Sequence, residues 1–246
     1  MMHIERAPAD GGRQIEFLAM LSHELRAPLA SIAHALHLLG SQRVETSARQ
    51  RAQALIERQV RQMAQLVDDL LDVSRLTTGH LYLQCARIDL REVVSHSIET
   101  LEGAIEERRH RLITSMPAEP VWLHGDRCRL EQVFVNLLIN SARYTDAGGA
   151  LGVQLQTLHA QAVVRVRDSG IGIAPEVLPH IFDLFWQADA AAPRSSGGLG
   201  IGLALVRELV ELHGGSVSAA SAGLGHGSEF VVRLPVRDRD TPPAAG

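Results

Sequence analysis

The sequence predicts an α plus α/β chain: an antiparallel helical hairpin that forms a dimeric four-helix bundle, followed by a two-layer α/β sandwich with a mixed sheet. Two observations carry this expectation. Between residues 13 and 76, apolar side chains recur at steps of three and four along two long segments separated by a short break containing Gly40. After Gly79 the pattern changes to short helical and strand-like segments in alternation.

Residues 1–12, with Pro8 and Asp10-Gly11-Gly12, read as a loose arm. The first helix spans 13–39, with Leu18, Leu21, Leu25, Leu29, Ile32, Leu36 and Leu39 as a buried stripe. Pro28 lies inside it and removes a backbone donor, which predicts a bend just past His23. Gly40 and Ser41 end this helix. The second helix spans 46–76, with Ile56, Val60, Met63, Val67 and Leu70 on one stripe, and Gly79 stops it. One hairpin cannot bury both stripes. A second copy would cover them, and so would the C-terminal part of the same chain.

Farther along, 90–109 reads as a helix, and 111–115 and 121–123 as short strands. A helix is expected over 127–144, and a hairpin from the period-two segments 151–158 and 162–167. Segment 200–213 is a helix with a glycine-rich amino end, and 216–220 and 229–234 supply the last strands. The tail from 237, with Pro242-Pro243 and small residues, lacks the apolar content of an ordered element. The expected organisation is a flexible arm over 1–13, a helical domain over 14–78, an α/β domain over 79–236 and a disordered tail over 237–246.

A formal charge of −4 argues against a dedicated nucleic-acid binder. Cys85 and Cys128 stand without metal-ligand spacing, which suggests neither disulfide nor zinc and suits a reducing cytoplasm. No apolar run approaches the roughly 20 residues of a membrane span, so the chain is expected to be soluble.

Ser22-His23-Glu24-Leu25-Arg26-Ala27-Pro28 resembles the phospho-acceptor box of two-component sensor histidine kinases. Asn136 to Thr145 resembles their asparagine box, and Asp168-Ser-Gly170-Ile-Gly172 their first glycine box. Ile181-Phe182-Asp-Leu-Phe185 is similar to the phenylalanine box, and Gly198-Leu199-Gly200-Ile-Gly202 to the second glycine box. Gly225-His-Gly227-Ser228-Glu-Phe230 is a weaker closing element. Each box alone is a weak match; their order and spacing across the chain make the likeness specific. The resemblance favours the dimer over burial within one chain. It also implies, for the second domain, the ATP-binding fold shared with DNA gyrase B and related chaperone ATPases.

The chemistry is consistent with this family. A lone helical histidine is usually a solvated surface residue, but neutral imidazole at cellular pH is also a nucleophile. Glu24 is placed to take the proton from its other ring nitrogen, and is otherwise an ordinary helix charge. Asn136 and Asn140, four apart, share a helix face, and amide oxygens are ligands for a hard cation such as Mg²⁺. The resemblance assigns both to the metal and the ATP phosphates, Arg143 to phosphate and Tyr144 to base or sugar. An Asp-Ser-Gly triplet is by itself a turn. In this context Asp168 accepts from the exocyclic amine of adenine, with Gly170 and Gly172 letting backbone approach the ring. Gly198, Leu199, Gly200 and Gly202 run into a helix amino end suited to phosphate. The resemblance makes 187–197 a lid over ATP anchored by Phe182 and Phe185, with Arg194 reaching the phosphates.

The expected function is autophosphorylation of His23 from Mg-ATP and transfer of the phosphoryl group to an aspartate of a response regulator receiver domain. The expected partners are a second copy and that receiver, with the sensory input separate or missing from this chain. The alternative is an ATP-binding or ATP-hydrolysing protein of the same superfamily. Its relatives use a glutamate where Asn136 stands. In many relatives a Thr or Asn occupies the position of Ala27 and helps dephosphorylate the regulator, so weak phosphatase activity is expected here.

Overall fold

The structure is a computed structural model that describes residues 10–40, 45–77, 81–186 and 199–236. Within the first two helices it leaves out the side chains of 10–20, 23, 24, 62, 65, 69, 76 and 77. The described chain divides into two compact units. The first holds helices α1 (Asp10–Leu39) and α2 (Thr46–Thr77). The second begins at Leu81 and holds β1 (Ala86–Asp89), α3 (Leu90–Thr100), α4 (Glu102–Glu107), β2 (Arg111–Ser115), β3 (Trp122–Gly125) and α5 (Arg127–Tyr144). It continues with β4 (Ala150–Leu158), β5 (Gln161–Asp168), a 3₁₀ turn at Leu178–His180, α6 (Gly202–Leu212), β6 (Ser216–Ala220) and β7 (Ser228–Pro235).

In the first unit, α1 and α2 pack along each other. Helix α1 starts at Asp10, earlier than the expected start at 13, and runs through Pro28 without interruption. Within one chain the expected stripe is only partly buried. Ala35, Ala52, Leu66 and Val73 are buried, whereas Leu29 and Leu36 on α1 are 52% and 56% exposed. Val60, Val67 and Leu71 on α2 are 53%, 48% and 50% exposed. Each helix carries more apolar width than one neighbour can cover, so the steps of three and four resolve into an inner row and an outer row. Ser41, Gly79 and the tail lie outside the described residues.

The second unit is built on a five-stranded sheet in the order β2-β4-β5-β7-β6. Strands β2 and β4 run parallel and the remaining pairs antiparallel, which makes the sheet mixed as expected. Leu151, Val153, Leu155, Val164, Val166, Val232 and Leu234 alternate onto one buried face. Helices α3, α5 and α6 contribute the other half of the core through residues such as Val93, Val94, Phe134, Leu137, Leu205 and Leu209. Burying each such side chain contributes about 1.5–3 kcal/mol. The opposite face is mixed, with Val163 and Val231 buried among charged side chains. There Glu229 bridges Arg165 at 2.6 Å and Arg167 at 2.8 Å. Burial pushes its carboxyl up, but the two guanidinium groups win and hold it below the ordinary range.

Parts of the second unit depart from the sequence reading. The helix expected over 90–109 breaks at Leu101, whose φ of −102° and ψ of 1° end α3 while its side chain is buried. The four residues of β1 were not expected; they pair antiparallel with β3, itself at Trp122–Gly125 rather than 121–123. Helix α6 starts at Gly202 rather than at 200, after Gly200 with a φ of 66°.

The β4–β5 hairpin turns on His159 and Ala160, both left-handed with φ of 47° and 60°. Such two-residue turns favour Asn and Gly, because a Cβ is strained there. Ala160→Gly should therefore stabilise the protein by about 0.5–1 kcal/mol, read from the midpoint of urea unfolding followed by circular dichroism.

Candidate active site

Helix α5 is positioned by Asp126, whose carboxylate accepts from Arg129 N at 3.2 Å as its N-cap. At the other end the Arg108 guanidinium donates to the carbonyls of Ala142 and Arg143, each at 3.3 Å, placing a cation at the negative helix terminus. Asn136 and Asn140 stand one turn apart on this helix, both half-buried. Gly202, the first residue of α6, lies against the Asn136 amide: a Cβ added there would sit 3.7 Å from Asn136 Cγ. Asn136 Nδ2 is buried without a partner among the described residues. A buried amide left in this way calls for a partner such as a water, an ion or a ligand.

Tyr144 ends α5 with an exposed ring, and the Arg143 guanidinium lies 6.0 Å from that ring's centre. The Tyr144 carbonyl accepts from Ile171 N at 3.0 Å, and a Cβ on Gly170 would overlap that carbonyl. Asp168 closes β5. Its Oδ1 accepts from Gly170 N at 2.8 Å and Ser228 N at 3.2 Å, and its Oδ2 from the Ser228 hydroxyl at 2.5 Å. Gly227 N donates to the Gly170 carbonyl at 3.1 Å and Gly225 N to the Ile171 carbonyl at 2.7 Å. A Cβ on Gly227 would overlap the Asp168 carbonyl, so only glycine lets these two segments approach. Gly172, with a φ of 70°, meets Gly223 in the same way.

The structure thus brings Asp168, Gly170, Gly172 and Tyr144 together through backbone, and Asn136 with Gly202. Ser228 is the residue whose role went unread in the sequence: it lay in the closing element, but its partner is sixty residues away. Phe182 of the phenylalanine box packs edge-on against Phe230, with ring centres 6.3 Å apart. Leu199 and Gly200 fall in the first unit and Gly202 in the second. Gly198, Arg194 and the expected lid over 187–197 lie outside the described residues. His23 and Glu24 lie on α1, with their side chains outside the described residues. Among the described residues no helix is long and apolar enough to cross a membrane, and no three His, Cys, Asp or Glu side chains cluster to hold a metal.

Comparison with known proteins bears on the same segments. A family model for the His kinase A phospho-acceptor domain matches residues 13–79, and one for histidine kinase-, DNA gyrase B- and HSP90-like ATPases matches 125–238. The chain is 35% identical to the sensor histidine kinase RppB of Synechocystis over 91% of its length and 49% of that protein. It is 38% identical to the sensor histidine kinase TrcS of Mycobacterium tuberculosis, covering 91% of this chain and 44% of that one. The chain thus spans about half the length of these curated relatives. Among solved structures, full-length ShkA in complex with AMPPNP matches with a TM-score of 0.66 at 28% identity, over 92% of this chain and 47% of that one. The chain carries the catalytic core of the two-component histidine kinases, a histidine phospho-acceptor domain followed by an ATPase-type domain.

Proposed function

We propose that this core takes the γ-phosphoryl group of ATP onto His23 and passes it to an aspartate of a response regulator receiver domain. The observation that carries the reading is the order of the two matched domains on one chain, with His23 inside the first and the Asp168 pocket inside the second. Asp168 faces adenine through a carboxylate that Ser228 and Gly170 already hold in place. Asn136 and Asn140 attend the phosphates, Arg143 adds positive charge, and Tyr144 borders the base or sugar.

The unpaired Asn136 amide fits Mg²⁺. Turned over, the same group offers its oxygen, and Asn140 supplies a second neutral oxygen one turn away. When bound, the ion neutralises charge on the phosphates. In the transfer, the bond between the γ-phosphorus and the β-bridging oxygen breaks, ADP leaves, and a phosphorus–nitrogen bond forms on the imidazole. Glu24 accepts the proton released from the other ring nitrogen. The reaction draws on cytoplasmic ATP, and Cys85 and Cys128 are exposed thiols suited to that compartment. Ala27 offers no polar side chain to orient water, so transfer to the regulator should outweigh dephosphorylation of it.

The test is incubation with γ-labelled ATP and Mg²⁺. Label on the protein that is lost in acid and kept in base supports the reading; label that is acid-stable, or phosphate released without protein labelling, refutes it.

The outer apolar rows of the hairpin support a homodimer. Leu29 and Leu36 are one heptad apart, and Val60, Val67 and Leu71 follow heptad spacing on α2. Val67→Glu would bury a carboxylate in that seam, at a cost of several kcal/mol per pair. Sedimentation velocity should show the wild-type chain as a dimer and the variant as a monomer at micromolar concentration.

A further inference from the structure

His213, the residue after α6, is tied at both ring nitrogens. Its Nδ1 lies 2.7 Å from the Leu209 carbonyl, which can only accept, and its Nε2 lies 2.9 Å from the Asp126 backbone N–H, which can only donate. The two partners therefore fix one neutral tautomer, protonated on Nδ1 with a lone pair on Nε2. Gly125 makes room for the ring: a Cβ there would sit 2.9 Å from His213 Cδ2. Asp126 is itself a junction. Its carboxylate caps α5 through Arg129 N and accepts from Gln84 N at 2.8 Å.

This tie lies at the opposite end of the α5–α6 pair from the pocket. His213 meets Asp126 just ahead of α5, while Gly202 at the start of α6 meets Asn136. The two meeting points are about 15 Å apart at the helical rise of about 1.5 Å per residue. Between them both helices present buried apolar residues, including Leu130 and Val133 on α5 and Leu205 and Leu209 on α6. Apolar packing sets how close two helices come but only weakly sets how far one slides along the other; a directional hydrogen bond sets the latter.

We propose that His213 is a positioning residue for the nucleotide pocket, holding the start of α6 in register with Asn136 through Asp126, and doing so only as neutral imidazole. A proton on Nε2 would set a donor against the Asp126 N–H and break the tie. The charged group facing the ring from α5 is Asp126, which favours protonation; the Arg129 guanidinium is turned to Gln132 at 2.8 Å. His124 on β3 and Glu211 on α6 are exposed neighbours in sequence, and β6 brings Ser216 and Val217, which carry no charge. Burial outweighs the Leu209 carbonyl and Asp126, and holds the ring's pKa below its ordinary value of about 6.5. The sign follows. The tie contributes fully above about 6.5, where a released ring would be neutral as well, and its contribution falls as pH drops below that value.

The proposal rests on the pocket being an adenine-nucleotide site. The test titrates the full chain with Mg-AMPPNP between pH 7.8 and 5.8, for wild type and His213→Gln. Glutamine can accept from Asp126 and donate to Leu209 but does not titrate. Protonation of the nucleotide itself is common to both proteins and cancels in their ratio. Wild-type affinity should fall about two- to fivefold more than that of His213→Gln across this range, because one proton bound below about 6.5 can weaken binding by no more than that. The Asp126 amide signal in the wild-type NMR spectrum should shift with the same midpoint. That second readout does not depend on the variant folding or on nucleotide binding. Parallel affinity profiles, or an Asp126 amide unmoved across the range, overturn the role of His213 while leaving the pocket intact. Wild type that binds no nucleotide at any pH overturns the pocket reading, and this proposal with it.

Discussion

His23→Gln should incorporate no acid-labile phosphate from γ-labelled Mg-ATP while binding nucleotide as well as the wild-type chain does. A glutamine amide has no basic lone pair, so no phosphorus–nitrogen bond forms at that position. Nothing in the Asp168 pocket changes, because His23 is on α1 of the first unit and Asp168 closes β5 of the second. Calorimetric titration with AMPPNP checks the second half of this expectation. Glu24→Gln provides the graded comparison. Removing a general base typically costs about 10²–10⁴ in rate, so single-turnover labelling should slow without vanishing. Persistence of acid-labile label in His23→Gln would move the acceptor to another of the chain's histidines.

The second large effect is expected from Asp168→Asn, read as affinity for adenine nucleotide. The carboxylate already accepts three hydrogen bonds, from Gly170 N, Ser228 N and the Ser228 hydroxyl. An amide in its place must turn its NH₂ toward one of these donors or toward the adenine amine. Each charge-assisted hydrogen bond lost costs about 1.5–3 kcal/mol, so affinity should drop by roughly 10- to 100-fold. The same variant should lose its preference for adenine over guanine nucleotides, because the exocyclic amine no longer meets a pure acceptor. Competition of a fluorescent ATP analogue by ATP and by GTP measures both quantities. Unchanged affinity and unchanged preference would remove Asp168 from the base-reading role. The Ser228 hydroxyl offers a milder version of the same experiment, since Ser228→Ala keeps the charge and removes one of its three donors.

Much of this fold was legible because its signals are local. Helix α5 runs over the predicted 127–144, since Asp126 supplies a cap beside an amphipathic run. Strands β2 and β6 occupy the predicted 111–115 and 216–220. What was missed depends on partners distant in sequence. Strand β1 is four residues long and too short to show a period; its pairing with β3 makes it a strand. The break at Leu101 comes from a side chain turned into the core, which no propensity records. Leu29 and Leu36 match the pattern of buried residues as well as Ala35 does, because periodicity identifies an apolar row without naming its cover. At the candidate site, the glycine boxes located Asp168 and Gly170. The role of Ser228 emerged only from the β5–β7 register that sets Asp168 opposite it.

That register also has a consequence for how the molecule comes into being. Asp168 and its companion at 228 are separated by sixty positions, and β7 is the last strand among the described residues. A polypeptide emerging from the ribosome amino end first therefore carries the Asp168 carboxylate without its Ser228 donors while the residues between them are made. β5 gains the strand that completes its second side only once residues 228–235 have been made. Because domains generally fold as units during synthesis, the nascent core should remain unable to hold nucleotide until then. A ribosome stalled shortly before codon 228 would carry a fully translated helical hairpin alongside a lobe whose Asp168 still lacks its Ser228 donors.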